Sequence, residues 1–221
     1  MFKQIFELFK SDSLYEQALL ECHEMLDITK EMFNESIQTL RHSDTADISI
    51  DIYAMDKKIN EFERDVRRKV MTHLVVSGKE DLGSGLILVS VVIDIERIGD
   101  YTKNIYDLAV EHPQRLVGSD FEEKLSNIEN STKQFLNETI DVFKKQDIDN
   151  ARKLMQEYKT EISSTSSEIV NGLVSGKNTN FTSQQAAALS LYARYLKRIA
   201  AHSRNLVSSI VNPFERIGYP E

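Results

Sequence analysis

Residues Leu86–Val110 read LILVSVVIDIERIGDYTKNIYDLAV. The first half, Leu86 to Ile95, is apolar on every side of a helical wheel except at Ser90 and Asp94. A helix apolar all round is buried among other helices or crosses a membrane, and this run is about half the ~20 residues that a crossing needs. A central helix of a bundle is therefore expected. Placing residues at about 100° intervals puts Val89, Val92 and Ile93 on a line that continues into Glu96 and Asp100. A core-facing stripe thus ends in two carboxylates one turn apart, and Gly99 beside them lets a neighbouring helix or ligand approach closely.

Outward from this helix, the composition agrees. The chain has 221 residues, 41% hydrophobic and 28% charged, with only 8 Gly and 3 Pro. Long elements with few turns, mostly helical, follow from that. A net charge of −8 repels nucleic acid and anionic lipid, so a nucleic-acid-binding role is disfavoured. Cys22 is alone and no signal peptide opens the chain, so a cytoplasmic location is expected, with peripheral membrane association as the most intimate contact with a bilayer.

In chain order, MFKQIFELFK (residues 1–10) puts Phe2, Ile5, Phe6 and Phe9 on one face, for packing or for contact with lipid. Ser13 and Glu16 form a capping-box pattern, predicting a helix from about Leu14 to Arg41. Ile52, Met55, Ile59, Phe62, Val66 and Val70 predict a second helix, to about Val76. The break SGKEDLGSG (77–85) lacks the order of a phosphate-binding loop. The central helix completes a unit spanning 12–111. HPQRLVGS (112–119) reads as a linker. Ser119 and Glu122 predict the next helix start, the run from Ile148 to Leu173 one further helix, and Thr182 with Gln185 the start of a last helix ending at Val211 before Pro213.

Three helices, a linker and three helices suggest a duplication. Superposing the last helix on the central one aligns ERIGDYTKNI (96–105) with KRIAAHSRNL (197–206). Arg97 meets Arg198, Ile98 meets Ile199, and Asn104 meets Asn205.

The segment DIERIGDYTKNI resembles the PhoU family, whose repeat carries an E-R-I-G-D-x-x-x-N-I type segment in its third helix. The resemblance implies an all-α protein of two pseudo-symmetric three-helix bundles in tandem, 12–111 and 119–211. It also implies a regulator of inorganic phosphate uptake and signalling that contacts a membrane phosphate transporter or a sensor histidine kinase. It further implies multinuclear metal clusters, often of iron or zinc, on E/D-x-x-x-D pairs from the second and third helices of each unit. The matching positions are Glu96 and Asp100 with Asp56, whose partner at i+4 is Asn60, and Glu157 with Glu161 in the second unit. There the third-helix pair has become Lys197 and Ala201.

Carboxylates at i and i+4 on facing helices suit hard cations such as magnesium, manganese or iron. With 35 acids in the chain, such pairs also arise by chance, and the competing reading pairs Glu96 and Asp100 with Arg97 or Lys103. The recurring Arg97/Arg198 and Asn104/Asn205 read as interhelical hydrogen-bonding groups. Arg194, Lys197, Arg198 and Arg204 make a basic face on the last helix, and His202 beside them reads as a surface or capping residue. His23, His42, His73 and His112 suggest no common site. No Glu has a His three residues later, which argues against a carboxylate-bridged oxidoreductase. A scaffold or homodimerisation module is the remaining alternative to the regulator.

Overall fold

Apolar side chains recurring at three and four residues force each long segment to bury one stripe, and helices packed side by side satisfy all of them at once. The computed structural model describes residues 11–77, 81–112, 114–157, 160–176 and 180–220. The aromatic face of residues 1–10 lies outside the described residues. In order, the helices are α1 (Ser11–His42), α2 (Ile52–Ser77), α3 (Leu82–Glu111), α4 (Glu122–Lys145), α5 (Ile148–Glu157), α6 (Thr160–Val174) and α7 (Ser183–Val211). Helices α1 to α3 pack on one another, α4 to α7 form the second unit, and α3 runs along α7 to join the two. The all-α, duplicated architecture is as expected.

The central position of α3 is explained by its burial. Leu88, Val91, Val92, Ile95 and Ile98 are almost wholly shielded, in one apolar cluster that also takes in Cys22 and Phe33 of α1, Ile59 and Val66 of α2, and Leu196 and Ile199 of α7. One core thus runs through both units, and a smaller cluster around Phe135, Leu154, Ile162 and Val207 fills the far end of the second. The duplication reaches the level of single bonds. Thr102 and Ser203 are both fully buried, and each hydroxyl donates to the carbonyl four residues earlier, at Ile98 (2.8 Å) and Ile199 (2.9 Å).

Helix boundaries test the local signals. Thr182 caps α7 as expected: its side chain accepts from the Gln185 backbone N–H, and the Gln185 side chain accepts in return. Ser13 lies inside α1, which is already helical at Ser11. Ser119 makes no cap; it opens a short 3₁₀ turn (Ser119–Phe121) with φ of 46°, and Glu122 is drawn elsewhere. The segment read as one helix from Ile148 is described as α5 and α6, with residues 158–159 outside the described set. The loop read as 77–85 is shorter, because α3 is helical from Leu82.

The segment read as a linker is anchored at Leu116. Leu116 is fully buried, and its N–H donates to Leu40 O at 2.8 Å. Its carbonyl accepts from the Arg41 guanidinium, which also pairs with Glu122 and, at 3.1 Å, with Glu129. Tyr192 of α7 donates to the same Glu129 carboxylate at 2.5 Å. The end of α1, the strap, α4 and α7 are therefore tied by one buried polar cluster.

Candidate functional site

The α2–α3 face brings together most of the acids singled out in the first unit. Helices α2 and α3 run antiparallel, so Asp56 near the start of α2 meets Lys103 late in α3, while Glu63, two turns further along α2, faces Glu96. Gly99 lies between these levels. A side chain there would meet Ile59 Cδ1 at 3.0 Å, so the bare backbone lets α2 come close, as the sequence indicates.

Around the carboxylates the partners are cations. Lys103 Nζ lies 2.9 Å from Asp56 Oδ2 and 3.5 Å from Asp100 Oδ1. Arg97 Nη1 takes the other oxygen of Asp100 at 2.9 Å, and its Nε is 3.5 Å from Glu96. Asn60 donates to Asp56 Oδ2 at 3.4 Å and to the Asp56 carbonyl at 3.0 Å. Burial pushes the Glu96 carboxyl up to about 7, helped by the charge of Asp100 and opposed by Arg97. For Lys103 burial works to lower the pKa, but the Asp56 and Asp100 carboxylates outweigh it and the ammonium is held above its ordinary range.

The donor set does not fit a resident metal ion. A bound cation needs carboxylate oxygens free to converge on it, and here the oxygens of Asp56 and Asp100 converge on an ammonium. Among the described residues, no three His, Cys, Asp or Glu side chains are grouped to hold a metal. In the second unit, Glu161 lines a groove with Glu123 and Lys124 on the α4 side. On the α7 side facing α6, Lys197 Nζ donates to Ser167 Oγ at 3.0 Å and to the Ser163 carbonyl at 3.4 Å. The side chain of Glu157 lies outside the described residues.

The α3–α7 seam holds groups that the sequence reading did not connect. Asp94 is buried, and its Oδ1 lies 2.7 Å from His202 Nδ1 and accepts from Asn205 Nδ2 at 2.8 Å. Arg198 donates to the Tyr101 hydroxyl at 3.1 Å, and the Tyr101 ring stacks on His202. His202 is thus an interhelical residue, where a surface or capping role was expected. Arg198 and Asn205 do join helices, whereas Arg97 is half-exposed and pairs within its own helix. The available signal was Asp94 itself, a lone acid in an apolar run, which requires a buried partner. For Glu63 the signal was its spacing of seven from Asp56.

These two pseudo-equivalent units can be set beside known proteins. A comparison with curated protein sequences gives no match. Among solved structures, PhoU from Pseudomonas aeruginosa is similar in fold, with a TM-score of 0.73 and 18% identity over 90% of this chain and 96% of that one. The phosphate transport system regulatory protein PhoU from Streptococcus pneumoniae is similar at a TM-score of 0.76 and 15% identity, over 91% and 95%. The PhoU domain family model matches twice, at 22–109 and 125–210, one match per unit and together most of the chain. With the duplicated helices, the repeated Thr102/Ser203 bonds and both matches in register, this chain belongs to the PhoU family.

Proposed function

We propose that this chain regulates inorganic phosphate transport or phosphate-responsive signalling by contact with a membrane phosphate transporter or a sensor kinase, without catalysing a reaction. The observation that carries this is the paired PhoU-domain match, one to each unit. The fold similarity to a phosphate transport system regulatory protein supports it. The polar groups gathered at the α2–α3 face are ion-paired carboxylates, with no nucleophile beside a base, which suits a contact role better than an enzymatic one. Regulation by contact needs exposed surface. Met71, Val75, Val76, Leu82 and Leu86 place accessible apolar side chains at the end of the first unit, where α2 hands over to α3.

The test is capture in cells. The tagged chain is cross-linked at high and at low phosphate, membranes are solubilised, and co-purifying proteins are identified. A phosphate transporter or its kinase should be recovered, in amounts that change with phosphate supply. Recovery of the chain itself and nothing else under both conditions would replace this reading with that of a self-associating scaffold.

A further inference from the structure

Both units carry an ammonium between their second and third helices, at different levels of the repeat. In the first, Lys103 stands between Asp56 and Asp100, at 2.9 and 3.5 Å. In the second, Lys197 occupies the position equivalent to Glu96 and reaches across to Ser163 and Ser167. The two lysines come from different positions of the repeat, so a shared ancestral residue does not explain them. They share only what they do, which is to supply positive charge to the cleft.

We propose that this chain supplies its own cation at the first-unit carboxylates: Lys103 holds Asp56 and Asp100 together in place of a metal ion, and removing it turns this cleft into a divalent-cation site. The residues left behind have the right character. Asp56 and Asp100 are both mostly shielded from solvent, with side-chain exposures of 14% and 27%, and Asn60 adds an amide beside them. Without Lys103, Asp56 loses its cation and Asp100 keeps Arg97 on Oδ2 alone, so Asp56 and Asp100 Oδ1 are left open to a hard cation, because an unpaired, partly buried charge is costly. In the parent chain a metal would have to displace an ammonium bound at two carboxylates. The inference is independent of the regulatory reading: partner capture can fail while this holds, and the reverse.

The experiment uses the full chain, stripped with a chelator, dialysed, and titrated calorimetrically with Mn²⁺ and with Zn²⁺ while metal retained after washing is measured. The parent is expected to retain no stoichiometric metal and to melt at the same temperature with or without chelator. Lys103→Gln is expected to bind one equivalent, with Tm raised by several degrees at ~100-fold excess over Kd. Adding Asp56→Asn should abolish that binding. Stoichiometric metal in the parent, lost on Asp100→Asn, would overturn the proposal, and so would a folded Lys103→Gln chain that stays metal-free. Should Lys103→Gln not fold, Lys103→Arg keeps the charge and is expected to fold without metal. Metal uptake by that arginine variant would count against the inference.

Discussion

Glu96 shows how much the chemistry of one residue depends on what the fold places beside it. Its carboxyl is raised from an ordinary 4.5 to about 7, first by burial and then by Asp100. Between those values the folded chain keeps a proton that the unfolded chain releases. The stability linked to Glu96 is therefore complete below 4.5 and is lost as pH rises through about 7. Glu96→Gln removes the penalty of the buried charge. It is expected to stabilise the chain by about 2 kcal/mol at about pH 8 and to change little at about pH 4. Urea unfolding at a series of pH values measures this, and a constant offset between variant and parent at every pH would dismiss it. The sequence reading identified Glu96 as the end of an apolar stripe. Its raised pKa was not legible, because Glu63 and the shielding by α2 are tertiary.

Gly99 and the helix starts belong to the scale of the element. A Cβ at Gly99 crowds only the flexible tip of Ile59, at 3.0 Å, and meets Thr29 and the Ile59 branch at ordinary contact distance, so Gly99→Ala is expected to stay within about 1 kcal/mol of the parent, helix propensity offsetting the crowding. Gly99→Val adds two branches against the same neighbour, and should cost about 2–3 kcal/mol by denaturant midpoint. Equal stability of the two variants would show that α2 and α3 are not held by this close approach. Thr182 and Ser119 carry the same capping pattern and behave differently. At Thr182 the Gln185 side chain completes the reciprocal cap, and local chemistry decides. At Ser119 the carboxylate of Glu122 is claimed by Arg41 and the Gly118 N–H, and a contact distant in sequence overrides the local signal.

For the whole molecule, the decisive feature is the tie between the units. Arg41, almost fully buried, neutralises Glu129, which is itself buried and bonded to Tyr192. Arg41→Ala leaves that carboxylate without its cation and removes the donor to the Leu116 carbonyl. A loss of about 3–5 kcal/mol is expected, a large share of a typical stability of about 5–15 kcal/mol. Unfolding followed by two probes, one in each unit, measures it; a loss under about 1 kcal/mol would mean the units are held by the shared apolar core alone.

From the sequence alone came the helical class, the number of units, the central role of Leu86–Val110, the duplication and the family. All of these rest on periodicity and on a local motif, which any helix displays along its own length. Tertiary structure alone decided that the 112–119 segment is pinned, that His202 and Asn205 close on Asp94, and that Asp56 and Asp100 share a lysine. Each of those depends on which face of one helix meets which face of another, and helical periodicity marks a buried face without naming what buries it.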